Sequence, residues 1–353
     1  MRRRAPLAFL LVAAAPFASA QEPQDRQGAV REEVVVERVV IDAHVVGSDG
    51  NPIPDLVPAD FRVKVDGKRV YLESAEWVPA DTPENDTSAL MGAETNEAER
   101  FRTDAPPGRL ILMFFQTDTS QSTRLTGLMR NALQARLFLD TLLPTDRVAV
   151  ASYDSQLKLR QDFTSDRARL SRAINAAIRT SPPPESDPAS RPSIARYFDF
   201  AAAKKAATPE RALELLARAV EPIPGGKSML YFGWGLGTVG GLTGPIAAER
   251  YAWNNAISAM AQARINIFTL DVADADYHSL EGYLRQISDI TGGRYEKTNV
   301  FPALAMELVR KAISGRYVLV FVKPHGSTRG DHTIEVELAS RKGLVFARQY
   351  FQD

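Results

Sequence analysis

"RLILMFFQTDTSQSTRL" (residues 109–125) is the stretch whose reading decides the fold. Leu110 to Phe115 is an unbroken apolar run of strand length, too short for a membrane span. It ends in the polar residues Asp118-Thr119-Ser120-Gln121-Ser122. Beyond them Leu128, Ala132, Ala135, Leu139 and Leu142 step by three and four, which predicts a long amphipathic helix stopped by Pro144. "RVAVASYD" then reads as the next strand. A strand with no polar alternation is buried on both faces, and a helix linking two such strands makes them parallel.

The same grammar continues downstream. "LKLRQDF" reads as a strand turned back beside its predecessor at Asp154-Ser155. Helices are expected at 165–178, after Thr208-Pro209 (an N-cap followed by Pro at the first helical position), at 245–263, at 279–291 before Gly292-Gly293, and at 302–313. Between them "KSMLYFGW" and "RINIFTLDV" read as strands. The predicted class is α/β, a Rossmann-like doubly wound and mostly parallel sheet over residues 108–314.

The two ends of the chain follow a different pattern. Residues 33–79 are rich in β-branched residues and carry a hairpin signal at Asp66-Gly67-Lys68, while 315–353 offers "RYVLVFVK", "HTIEVELA" and "GLVFARQYF". Both segments are expected to be antiparallel β structure, packing with each other around the inserted α/β domain. Residues 80–107, rich in Pro, Thr, Glu and Asp, read as a flexible linker.

The first twenty residues, "MRRRAPLAFLLVAAAPFASA", have the basic, apolar and A-x-A regions of a secretory signal peptide. Cleavage is expected after Ala20, leaving a polar leader (21–32) and an exported chain, periplasmic or secreted, with no transmembrane segment. The chain has 43 Lys+Arg and 43 Asp+Glu, so its formal charge gives no footprint for nucleic acid. With no cysteine, disulfides and thiolate metal sites are excluded.

At the end of a parallel strand, Asp118, Ser120 and Ser122 could place a carboxylate and two hydroxyls around one hard cation, Mg²⁺ or Mn²⁺. The strand, the D-x-S-x-S, the long helix and "LLPTDRVAVASYDS" together resemble a von Willebrand factor type A domain. With "VIDAHVVGSDGNPIPDLVPADFRVKVDGK" before it and "LRQISDITGGRYEKT" and "ISGRYVLVFVKP" after it, the chain is similar to the related family of exported bacterial proteins over residues 33–353. The resemblance implies a metal-ion-dependent adhesion site and a protein partner. It also implies a Thr from a second loop and an Asp after the strand matching "KSMLYF". Here that strand runs into "GWGLGTVGG" without a carboxylate, and no Thr is assigned. The family's first ligand directly follows the apolar run, a position held by Gln116, with Asp118 two residues on. A degenerate site is the expectation.

Other motifs carry weaker signals. Gly235-x-Gly237-x-x-Gly240 matches a dinucleotide fingerprint, but the acid expected ~20 residues on is missing, Asp271 lying farther away. "GGKS" (225–228) precedes its strand and lacks the first glycine of a phosphate loop. Asp271, Asp274 and Asp276 do not have EF-hand spacing, and His44, His278, His325 and His332 form no zinc-protease motif. The sequence therefore reads as a non-enzymatic interaction protein. Its third loop, with Trp234 and Leu236, is the candidate docking patch if exposed. The alternatives are a metal-assisted hydrolase using Asp118 and Asp271, or a structural envelope component.

Overall fold

The computed structural model describes residues 38–80, 108–117, 122–179, 192–237, 247–274, 278, 280–324 and 330–352. The expected signal peptide, polar leader and all but the first residue of the linker lie outside these residues. At the centre is a six-stranded sheet of β5 (Leu110–Gln116), β6 (Arg147–Tyr153), β7 (Leu157–Thr164), β8 (Lys227–Gly233), β9 (Ile265–Asp271) and β10 (Tyr295–Lys297). Its order is β10-β9-β8-β5-β6-β7, parallel throughout except for β7, which pairs antiparallel with β6.

Period-two alternation explains why β5 is apolar at nearly every position. Leu110, Leu112 and Phe114 face one layer, and Ile111, Met113 and Phe115 face the other. The second layer is built by α1 (Ser122–Leu139), α2 (Arg167–Ile178) and α7 (Pro302–Ala312). The first is built by the short α3 (Phe200–Ala203), then α4 (Pro209–Val220), α5 (Ala247–Gln262) and α6 (Glu281–Thr291). Phe114 stacks on Tyr231 at 5.2 Å and Phe115 on Phe232 at 4.6 Å, so each face of the β5–β8 pair is locked by an aromatic pair.

The local signals that start and stop these helices are the ones anticipated. Thr208 Oγ1 accepts the Arg211 N–H at 3.2 Å with Pro209 at the first helical position. Gly292, at φ 80°, ends α6 in the left-handed conformation, and the Gly293 N–H reaches the Ser288 carbonyl at 2.8 Å. α1 packs Gly127 against Val272, where a Cβ would sit 1.9 Å from the Val272 carbonyl oxygen. That contact brings the helix down onto the end of β9.

The remaining strands form two four-stranded antiparallel sheets. One runs β13 (Leu344–Ala347), β1 (Arg38–Val46), β11 (Gly315–Val322), β4 (Leu72–Pro79). The other runs β14 (Tyr350–Gln352), β12 (Asp331–Leu338), β2 (Phe61–Val65), β3 (Lys68–Val70). They share a core that includes Ile41, Phe61, Val63, Leu319 and Phe321. The hairpin read at Asp66-Gly67 is present, with both residues at positive φ. Its second arm departs from the single strand expected: it pairs with β2 for three residues, then leaves at Tyr71 and joins β11 in the opposite sheet. A buried Asp42 on β1 ties the sandwich to the central sheet, bonded by Arg264 (2.8 and 3.0 Å) and Arg316 (3.0 Å). Burial raises the Asp42 carboxyl, but the two guanidinium groups outweigh it and hold it well below the usual carboxylate range.

Candidate functional site

The chain leaves β5 toward β6 on one side and returns to β8 on the other, so the order of the sheet reverses between β5 and β8. In open α/β sheets the crevice beyond such a reversal is where ligands bind. At that point lies Gln116, the last residue of β5 and only 3% exposed. Its Oε1 accepts from the Tyr231 hydroxyl (3.1 Å), the Trp234 N–H (3.0 Å) and the Gly235 N–H (3.2 Å). Gly233 makes this possible, since a Cβ there would fall 2.6 Å from that same oxygen.

Among the described residues this arrangement offers a divalent cation no charged ligand. The oxygen at the first ligand position is a neutral amide already accepting three hydrogen bonds, and the residues after β8 present N–H donors where a carboxylate would stand. Asp118 and Ser120 lie outside the described residues. Ser122 is exposed at the first position of α1.

The third loop is a candidate docking patch if exposed, and its two candidate residues differ in exposure. Leu236 is fully buried in the cluster beneath α4, so it is not open to a partner. The cause lies one residue on, where the Gly237 N–H donates to the buried Glu210 carboxylate at the start of α4 and draws the loop inward. Trp234 is half-buried, with the Arg124 guanidinium 3.6 Å over its ring. Gly235 and Gly237 thus turn their N–H groups toward side chains of their own chain, the reverse of what a phosphate cradle needs. Burial, reinforced by the nearby Glu210 charge, pushes the Tyr153 hydroxyl up to about 12 and raises that of Tyr231 as well.

Beside the crevice, the end of β9 carries a cluster that the sequence did not bring together. Asp271 Oδ1 accepts the Ala273 N–H at 2.9 Å. Its Oδ2 lies 2.8 Å from His278 Nε2 and accepts the Tyr295 hydroxyl at 2.7 Å. Glu281 completes a group of three possible metal ligands whose atoms lie within 4.8 Å of one another. Two cations already occupy that carboxylate: Arg285 at 2.6 and 2.9 Å on one oxygen, and Lys297 at 3.1 Å from the other. Burial alone would raise Glu281, but Arg285 and Lys297 hold it below its ordinary value. Tyr295 is raised, first by burial and then by its bond to Asp271. The cluster is a charge-compensated brace joining β9, α6 and β10.

The remaining candidates have structural partners. Lys227 of "GGKS" is buried, and its ammonium donates to the Ala263 carbonyl at 3.0 Å and to the Ile223 carbonyl. His332 stacks on Phe351 and bonds Asp66 at 2.7 Å. His44 is buried, its Nδ1 2.9 Å from the Ala312 carbonyl. Asp274 is exposed, while Asp276, His325 and Gly240 fall outside the described residues.

No family model matches the chain, and no curated protein matches it. Solved structures similar to it include a von Willebrand factor type A protein from Catenulispora acidiphila, 11% identical, covering 85% of this chain and 75% of that one at a TM-score of 0.40. An aerotolerance-related membrane protein from Bacteroides fragilis is 13% identical, covering 58% and 98% at 0.39. The minor pilin PilB from Streptococcus sanguinis is 11% identical, covering 60% of this chain and 62% of the pilin at 0.37. The chain thus spans less than two thirds of the pilin's length.

Proposed function

We propose that the chain is an exported, non-enzymatic interaction protein whose A-type domain engages a protein partner without a bound divalent ion. Gln116 carries the reading. A crevice that would hold a small substrate or a cation is filled by its carboxamide, which is bonded three times to the chain itself. A site for a small molecule is concave and hundreds of Å³ in volume. A closed crevice leaves the surrounding rim, around Ser122, Arg124 and the edge of Trp234, as the recognition surface, and a rim suits a macromolecule.

The test has two parts. Calorimetric titration of Mg²⁺ and Mn²⁺ into residues 21–353 is expected to give no saturable heat. Cross-linking in the producing cell is expected to trap a partner equally well with chelator present, and to lose it in Arg124→Ala. Saturable metal binding with chelator-sensitive capture would overturn the reading.

The Asp271–His278 pair favours one second reading, a hydrolase in which the carboxylate orients the imidazole. Among the described residues no serine or threonine hydroxyl bonds to His278. Turnover of an ester or phosphoester that vanishes in His278→Ala would establish it.

A further inference from the structure

Six of the twelve large apolar side chains that stand exposed among the described residues lie on one helical layer. Met129, Leu133 and Leu137 repeat every four residues along α1, each 48% to 57% exposed, and point directly away from the sheet. Val300, Phe301 and Leu304 stand at the start of α7. Arg130 donates to the Asn299 carbonyl at 3.3 Å, which sets this second group beside the outer face of α1.

The same layer is basic. α1 carries Arg124, Arg130 and Arg136 and no acid. Beside it, α2 with its C-cap carries Arg167, Arg169, Arg172 and Arg179, against Asp166 at its N-cap and Asp140 after α1. These two helices gather seven arginines and two aspartates in a chain whose formal charge is zero. On the opposite layer α4 with its C-cap and α6 carry Glu210, Glu214, Glu221, Glu281 and Asp289 against Arg211, Arg218 and Arg285, but Glu210, Glu214 and Glu281 are buried, the last two on arginines of their own helices.

We propose that the α1–α2–α7 face docks on an anionic lipid surface. Apolar side chains along the outermost line of a central helix, flanked by arginines, are the arrangement of a helix lying in a bilayer interface, its apolar edge among acyl chains and its guanidinium groups on phosphates. The charge argues against a second copy of the chain. Two such faces repel each other, and most of the acids of α4 and α6 are buried, so that side offers little acidic surface as a complement. No helix among the described residues is long and apolar enough to cross a membrane, so the contact is peripheral.

The test is flotation of residues 21–353, without the expected signal peptide, with phosphatidylglycerol–phosphatidylcholine vesicles and with pure phosphatidylcholine vesicles. Binding is expected on the anionic vesicles only, and is expected to fall as salt rises. Arg169→Gln/Arg172→Gln should bind about 25-fold more weakly, near fivefold per arginine. Leu133→Gln/Leu137→Gln should weaken binding at least tenfold while keeping the wild-type circular dichroism and urea midpoint. Equal binding to neutral vesicles, no flotation at low salt, or affinities unchanged in both variants would overturn the proposal. A dimer by light scattering, lost in the leucine variant, with no vesicle binding, would assign the face to a second copy instead.

Discussion

Replacing Gln116 by leucine tests whether the filled crevice is the organising element of the site. The two side chains are close in volume, so packing changes little and the hydrogen bonds are what is removed. Three donors lose their acceptor: the Tyr231 hydroxyl and the N–H groups of Trp234 and Gly235. Tyr231 is fully buried, so water does not readily replace the lost partner. A buried donor left unsatisfied costs ~1–3 kcal/mol. Three at about 1–1.5 kcal/mol each, less about 1 kcal/mol returned by the more apolar side chain, put the net loss at about 2–3.5 kcal/mol. Urea denaturation should read that loss as a lower midpoint at constant slope. Native-state hydrogen exchange should find the Trp234 and Gly235 amides opening on the order of a hundredfold faster, with the interior of β8 unchanged. Gln116→Glu keeps an oxygen in place and should retain most of the protection. A leucine variant within about 0.5 kcal/mol of wild type, with both amides still protected, would refute the reasoning.

Asp42→Asn should destabilise by about 3 kcal/mol in urea denaturation, because it leaves Arg264 and Arg316 facing each other without their anion. The folded Asp42 carboxylate titrates below its ordinary 3.8, so its contribution is complete above that pH and is lost as acid moves toward the folded value. His44, lowered chiefly by burial, stays neutral while its unfolded counterpart charges below 6.5. Stability against pH should therefore fall in two stages, and Asp42→Asn should keep the first and flatten the second. Gly127→Ala should destabilise by more than about 2 kcal/mol despite the better helix propensity of alanine, since its methyl would meet the Val272 carbonyl; a higher melting temperature would contradict this.

Much of this fold is written locally. β5 is apolar on both faces because it is buried on both, and its six-residue run together with the stripe through Leu128, Ala132 and Ala135 is enough to specify a covered parallel sheet. The crossing at Tyr71 is not local: "KRVYLESAEWVP" carries no break, and only the partner strands, one of them at residues 315–322, divide it between two sheets. Leu236 looks available in the sequence because glycines surround it. Its burial follows from Glu210, which is distant in sequence and reads there only as part of a helix start. Asp271 and His278 are each visible, but Tyr295 and Lys297 join them only when β10 lies parallel to β9. The one legible sign is Gln116, the wrong chemical type at the position where the apolar run ends. The basic layer is hidden because a charge count over the whole chain averages it away. Plotting α1 on a helical wheel brings it out, separating Met129, Leu133 and Leu137 from the core positions at Leu128, Ala132 and Ala135.

The interleaving of the two chain ends has a consequence for biogenesis. β11 sits between β1 and β4, so the earliest strands made have no central partner until residues 315–322 have been synthesised. Until then β1 and β4 present open edges toward the place β11 will take. The six-stranded sheet faces no such delay, because all its strands come from residues 110–297. A chain cut before residue 315 would keep every strand of the central sheet and leave β1 and β4 without the strand that joins them.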